Sequence, residues 1–395
     1  MRIAQVAPLF ESVPPQLYGG TERVVSALTE ELVNRGHDVT LFASGDSVTS
    51  ARLSAPVERS LRLDGRARDH VAFTMIELAE VFDAADEFDV IHNHLDYFAF
   101  PFSRFSRTNV ITTAHGRLDI PEVQSVYRHF SDAGLVSISN DQRAPLPDAR
   151  WLATVYNGID FSSYRLRREP GTYLAFLGRI SPDKRPDRAI EVARALDMPL
   201  KIAAKVDDVD RQYFEHAIKP HLHHPLVEFV GEVNEQEKDE FLGNAFAYLF
   251  PIDWPEPFGL TMVEAMACGT PVVGMNCGSV PEVIQHGVSG FVCDSLPEFI
   301  SAVPRASEID REACRASAFS RFSASVMADG YEAVYGHAVD NSDDRREAAR
   351  RIRRRATSSI RHSTPSPALP GLHVVPAALK PGADTSAHDV AVSTA

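Results

Sequence analysis

Two glutamates, Glu256 and Glu264, flank a run that changes character in its middle, Pro257-Phe-Gly-Leu-Thr-Met-Val263. Pro255 and Pro257 hold the chain extended around Glu256, and beyond Gly259 good helix formers continue to Gly269, where a helix should stop. The first amides of that helix, near Phe258, Gly259 and Leu260, lack partners inside it and carry partial positive charge, which suits a phosphate. Glu256 precedes the helix and Glu264 lies one to two turns inside it, so two acceptor-only groups flank the anion site. Carboxylates hold phosphate poorly and sugar hydroxyls well, so the stretch reads as a cradle for a nucleotide-diphosphate sugar. A lone Glu-x7-Glu spacing would by itself favour a buried helix with two surface glutamates after a Pro-rich turn.

The longer string, Glu256-Pro-Phe-Gly-Leu-Thr-Met-Val-Glu264-Ala-Met-Ala-Cys-Gly-Thr-Pro-Val-Val273, resembles the signature of retaining family 4 glycosyltransferases of GT-B fold, and the likeness spans roughly residues 1 to 335. The resemblance implies an α/β protein of two Rossmann-like, doubly wound parallel-sheet domains facing an interdomain cleft. It implies that Gly178-Arg179, with Lys184 five residues on, clamps the diphosphate, and that Val230-Gly231-Glu-Val233 lies against the base. Glu256 takes a sugar hydroxyl by the same likeness, Glu264 the ribose, and His115 of Thr113-Ala-His-Gly116 contacts the donor sugar from the N-terminal domain. Arg179, Lys184, Glu256 and His115 thus form the expected catalytic set. Taken alone, His115 is more often a turn-capping or partly buried histidine; for Arg179 and Lys184 the lesser alternative is a solvated loop pair.

The elements that must position these groups follow from periodicity. Ile3–Ala7 reads as a strand, Glu22–Asn34 as a helix with Val24, Val25, Leu28 and Leu32 on one face, and 37–44 as a second strand. Strand, helix, strand is a βαβ unit, which places ligands at the carboxyl ends of parallel strands. Gly19 and Gly20 sit at such an end, where glycine permits a tight turn or a close approach of backbone to phosphate. Strands near 89–92, 110–113 and 135–138 run into Ile91-His-Asn-His-Leu-Asp96, Thr113-Ala-His-Gly116 and Ser137-Ile-Ser-Asn140-Asp, which should wall one side of a cleft. A second βαβ series begins at Tyr173–Leu177 and continues through a helix at Pro186–Leu196, a strand at Leu200–Ala204 and a helix at Tyr213–Ile218. After a strand at 227–230 it runs through an Asn234-capped helix with Glu237 at N3, a strand at 247–250, the cradle, and a helix at Val280–His286. These divide the chain into an acceptor domain (1–165), a nucleotide-sugar domain (171–320), a closing helix (321–340) that the resemblance has crossing back to the first domain, and a tail (341–395).

The formal charge is −14, and because residues 341–395 hold nine Lys and Arg against five Asp and Glu, −18 falls on the rest. An acidic body argues against nucleic acid as a partner, so a polyanionic ligand must be held by local cations. Eight arginines crowd Arg345–Arg361, which fits a solvated helix or a contact with anionic membrane, and the distal tail reads as disordered. No apolar run approaches the ~20 residues of a membrane span and no signal peptide is apparent, so a soluble, cytoplasmic protein is expected. Cys268, Cys277, Cys293 and Cys314 include no Cys-x-x-Cys pair and read as free thiols. His92 and His94 share a strand face but are too few for a metal site; Asp207-Asp-Val-Asp210 and His221-Leu-His-His224 read as solvated turns. No metal or cofactor is expected. The expected reaction moves a hexose from a UDP-glucose or GDP-mannose type donor to a hydroxyl of a sugar, lipid-linked or small-molecule acceptor. The rivals are a sugar-nucleotide epimerase or hydrolase on the same frame and a non-catalytic nucleotide-sugar binding protein.

Overall fold

Ile3, Ala4 and Val6 are fully buried in the first strand of the computed structural model, which describes residues 1–64 and 68–340. That strand, β1 (Arg2–Val6), is central in a seven-stranded sheet with β2 (Asp38–Phe42), β3 (Arg52–Ser54), β4 (Val90–Asn93), β5 (Asn109–Ala114), β6 (Gly134–Ser137) and β7 (Trp151–Thr154). The order is β3-β2-β1-β4-β5-β6-β7, every pairing parallel. Runs buried on both faces, as in β4, β5 and β6, are what a parallel sheet covered by helices demands.

The second sheet repeats the plan with β8 (Tyr173–Arg179), β9 (Leu200–Lys205), β10 (Val227–Gly231), β11 (Ala245–Phe250), β12 (Val272–Met275) and β13 (Gly290–Cys293), in the order β10-β9-β8-β11-β12-β13. In both sheets the strand order reverses beside the first strand of the series, the switch point at which doubly wound folds bind ligands. One large apolar cluster joins the second sheet to its helices, and smaller ones lie on the two faces of the first. The two halves are Rossmann-like domains of a GT-B fold.

Several elements depart from their expected form. A separate helix, Arg311–Phe322, stops where Ser323 turns extended (φ −72°, ψ 154°), and after it the closing helix expected at 321–340 begins at Ala324 and runs to Asp340. Its Tyr331 and Tyr335 pack with Ile3, Val24 and Val90, so the last helix covers the first sheet. The helix expected at Val280–His286 ends at Val283, where Ile284 is extended. The stretch 213–218 widens into a π-helical turn at Phe214–Ile218. The Asn234 helix carries its full capping box. Helices His70–Asp83 and Pro121–His129 and the edge strand β3 had no clear signature in the sequence. All four cysteines are free. Among the described residues no helix is long and apolar enough to cross a membrane; the arginine run Arg345–Arg361 and the rest of 341–395 lie outside them.

Candidate functional site

The cradle is built by a loop that cannot move freely. The Glu256 amide donates to the Trp254 carbonyl at 2.8 Å, and the Ser279 amide donates to the Glu256 carbonyl at 2.9 Å. Gly278, in the left-handed region (φ +59°), passes so close that a Cβ there would sit 2.3 Å from the Glu256 nitrogen. Gly259 is left-handed as well (φ +80°), and a Cβ on it would meet Met262 Cε at 2.6 Å. The helix therefore starts at Leu260, directly after the glycine beyond which the sequence has its run of helix formers, and runs to Ala267. Its free amides begin at Leu260. Phe258 is a buried ring packed against Phe322, with its carbonyl taken by the Ser279 hydroxyl at 2.8 Å.

Of the two expected cations, Lys184 meets this loop and Arg179 pairs with Asp207. Gly178 and Arg179 end β8, and Lys184 follows on the next turn, its ammonium against the Glu256 carboxylate and 4.9 Å from the Trp254 ring. Arg179 lies 3.8 Å from Asp207, which Lys205 also meets at 2.6 Å; the buried Nε of Arg179 has no partner. Asp207 is therefore not the purely solvated turn residue the sequence suggested, because the end of β9 brings it beside two cations. Val230 and Gly231 end β10, where Val230 is exposed and Gly231 is left-handed (φ +87°), while Val233 is buried.

Glu264 sits deeper than its spacing implied, 1% exposed. Lys238 Nζ donates to its Oε1 at 2.8 Å, and Arg23 Nε, on the first helix of the other domain, lies 3.6 Å from the same oxygen. The burial alone raises its pKa, but the charges of Lys238 and Arg23 outweigh that and hold it below the usual carboxylate value. Its Oε2 is buried without a partner. Arg23 also pairs with Glu235, which accepts from the Tyr164 hydroxyl at 2.6 Å. Arg23, Lys238, Glu235 and Tyr164 were not found in the sequence: they meet only through tertiary folding. Lys238 and Glu235 did lie within the capped helix that the sequence located.

The N-terminal domain supplies the facing wall. Gly19 is the N-cap residue of the first helix and Gly20 its first residue; a Cβ on Gly20 would lie 3.7 Å from Leu260 Cδ1, so Gly20 faces the start of the cradle helix. His115, at the end of β5, has its amide held by Asp96 at 3.2 Å and its Nε2 by His94 at 2.9 Å. Loss of surrounding water pushes its pKa down to about 4, so the ring is neutral at physiological pH. Asp96, left-handed at φ +46° and half-buried, is pushed up to about 6 by loss of surrounding water. Asn140 joins the domains: its amide donates to Glu282 Oε2 at 2.8 Å, while its side chain is taken by Tyr156 and Thr154. Lys184 thus meets Glu256, and Gly20 faces Leu260 at the start of the helix that carries Glu264, whereas Arg179 stands beside Asp207 and Asn140 serves the domain contact at Glu282.

Comparison with known proteins identifies the family. Residues 18–163 match the family model "Glycosyltransferase Family 4", and residues 162–303 match "Glycosyl transferases group 1". The chain is 25% identical over 371 residues to the N-acetyl-alpha-D-glucosaminyl L-malate synthase of Bacillus anthracis, covering 80% of this chain and 93% of that protein. It is 26% identical over 324 residues to the phosphatidyl-myo-inositol mannosyltransferase of Mycolicibacterium smegmatis, covering 73% of this chain and 80% of that one. Among solved structures, Anabaena HepE in complex with UDP and glucose superposes with a TM-score of 0.67 at 17% identity, over 85% of this chain and all of that one (100%).

Proposed function

The chain belongs to the family 4, group 1 glycosyltransferases of GT-B fold, and from that premise we propose that it moves a hexose from a nucleotide-diphosphate sugar to an acceptor hydroxyl with retention of configuration. The observation that carries this reading is the contact of Lys184 with Glu256, which joins the Gly178-Arg179 loop to the loop feeding the Leu260 helix. A cation and a sugar-binding carboxylate side by side, ahead of free helix amides, form a site divided between diphosphate and hexose. HepE, a structural neighbour, is described in complex with UDP and glucose, and the relatives with malate or phosphatidylinositol in their names act on acceptors of different chemistry. A donor of UDP-glucose or GDP-mannose type is the reading this supports.

In the reaction, the bond between C1 of the sugar and the β-phosphate oxygen breaks, and the acceptor oxygen bonds C1 from the same face. The acceptor's proton passes to the departing phosphate, so atoms and charge balance without a protein nucleophile. Negative charge grows on the diphosphate as it leaves, and Arg179, Lys184 and the amides at Leu260 are placed to receive it. Glu256 would hold a hydroxyl of the transferred hexose, Glu264 the ribose through its unpartnered Oε2, and His115 the opposite edge of the sugar.

A panel of UDP-, GDP- and ADP-sugars, assayed for nucleotide release with and without candidate acceptors, tests the proposal. Acceptor-dependent release with a product of unchanged anomeric configuration by NMR is expected. Release that ignores acceptor points to an epimerase or hydrolase; binding without release points to a sugar-nucleotide binding protein.

A further inference from the structure

Behind His115 a file of buried polar groups crosses the first domain. His115 Nε2 lies 2.9 Å from His94 Nδ1, and His94 Nε2 lies 2.8 Å from Gln5 Oε1. Gln5 Nε2 donates to the Tyr335 hydroxyl at 3.2 Å, and that oxygen lies 2.7 Å from His92 Nδ1. His92 Nε2 continues to Thr113 Oγ1 at 2.7 Å, and Thr113 to the Tyr331 hydroxyl at 2.8 Å. Gln5, His92, Thr113, Tyr331 and Tyr335 are 0% exposed and His94 is 2%. The file thus runs from the rim of the cleft to the last helix.

Its polarity follows from the chemistry of each atom. The Gln5 carbonyl oxygen only accepts, so His94 Nε2 must carry the proton. Burial, reinforced by the neighbouring histidines, lowers the His94 pKa well below its ordinary value, so the ring is neutral and Nδ1 is a lone pair. His115 Nε2 must then donate to it. A neutral His115 that spends its only N–H inside the domain shows the cleft a lone pair on Nδ1. At the other end the Tyr335 hydroxyl, accepting from Gln5, donates to His92 Nδ1, and His92 Nε2–H donates to Thr113. Each contact along the file thus pairs one donor with one acceptor.

We propose that His94, fixed by Gln5 and Tyr335, is a positioning residue that presents His115 Nδ1 as a hydrogen-bond acceptor, so that the donor hexose is recognised through a hydroxyl that donates. The proposal rests on the reading of this cleft as a nucleotide-sugar site. It goes beyond that reading in predicting which hydroxyl substitutes the enzyme will reject.

The test uses the full chain and the nucleotide sugar that turns over in the donor panel, beginning with UDP-glucose, with analogues that are deoxy or deoxyfluoro at C3, C4 or C6. At one position both substitutions should lower kcat/KM by roughly ten-fold, the size of one lost hydrogen bond, because fluorine cannot donate. In His115→Ala the penalty at that position should vanish. His94→Asn, whose Oδ1 can take the place of Nδ1, should keep the penalty, and His94→Phe should lose it while still melting cooperatively. A deoxyfluoro analogue that works where the deoxy one fails would show His115 donating and overturn the polarity. A penalty surviving intact in His94→Phe would overturn the positioning role. Penalties indifferent to His115 at all three positions also overturn the proposal, yet leave the donor reading standing; that reading fails separately if no sugar nucleotide in the panel turns over.

Discussion

Replacing Lys184 with alanine puts the proposed diphosphate clamp to its most direct test. The Lys184 side chain is 15% exposed, close enough to the protein interior for an effective dielectric near ~20 rather than that of water. At that screening a cation about 4 Å from a full charge contributes roughly 4 kcal/mol. Only the part of the charge that develops as the C1–O bond breaks lowers the barrier, and two thirds of it corresponds to about 2.7 kcal/mol, or ~100-fold in kcat. The substitution also strips Glu256, 11% exposed at its side chain, of its ion-pair partner, at a cost in stability of about 1–3 kcal/mol. Turnover and melting must therefore be read on the same samples, and Lys184→Ala/Glu256→Ala serves as the control. Stability should recover in the double variant and turnover should not. The assay is acceptor-dependent release of nucleotide under saturating donor, with kcat and KM resolved. A kcat within three-fold of the parent would remove Lys184 from the site; a rise in KM alone would mean that it grips substrate and transition state equally.

Three further outcomes follow from the surroundings of the cradle. Burial pushes the Glu22 carboxyl up to about 7 from an ordinary 4.5, so between those values the folded chain keeps a proton that the unfolded chain has lost, and stability falls as pH rises through that window by up to roughly 3 kcal/mol. Glu22→Gln should consequently compare better with the parent at pH 8 than at pH 4.5 in chemical denaturation; equal differences at both would refute it. Arg23→Ala removes the cation that reaches from the first domain to Glu264 and Glu235, and should lower kcat/KM for the nucleotide sugar about ten-fold, whereas an unchanged value would place Arg23 outside ligand binding. Gly278→Ala should cost at least ~10-fold in turnover although it lies outside the Glu256–Glu264 stretch, because its methyl would force the Glu256 backbone aside; full activity would mean that the loop yields.

What could be read in advance was whatever local chemistry dictates. Pro186–Leu196 was found to the residue because a proline at N1 and a clean apolar stripe mark it, and the Asn234–Glu237 capping box named its own helix. The cradle helix was legible because its helix formers begin just after Gly259, and the left-handed Gly259 sets its start at Leu260. The helix Arg311–Phe322 was not anticipated, and the closing helix starts at Ala324 rather than 321 because Ser323, bridged to Ile159, is extended between the two. The site groups divided along the same line: Arg179, Lys184 and Glu256 stand in recognisable strings, while Gln5 and Tyr335, 330 positions apart, meet only once the last helix covers the first sheet.

The charge balance of the molecule bears on how this cleft can take a polyanion at all. With a net −14 over the chain, no general positive field draws a nucleotide in. The cations of the cleft instead stand beside carboxylates: Lys184 with Glu256, Arg179 with Asp207, Arg23 with Glu235 and Glu264. A diphosphate alone would have to compete with those carboxylates for each cation, whereas a nucleotide sugar brings hydroxyls that the released carboxylates can accept from. Exchange of partners, cation to phosphate and carboxylate to hydroxyl, leaves no charge stranded when both halves of the ligand are present. Selectivity for an intact sugar nucleotide over free pyrophosphate then follows from the pairing itself, and Glu256→Gln, which weakens the hold on Lys184, should narrow that selectivity in competition binding.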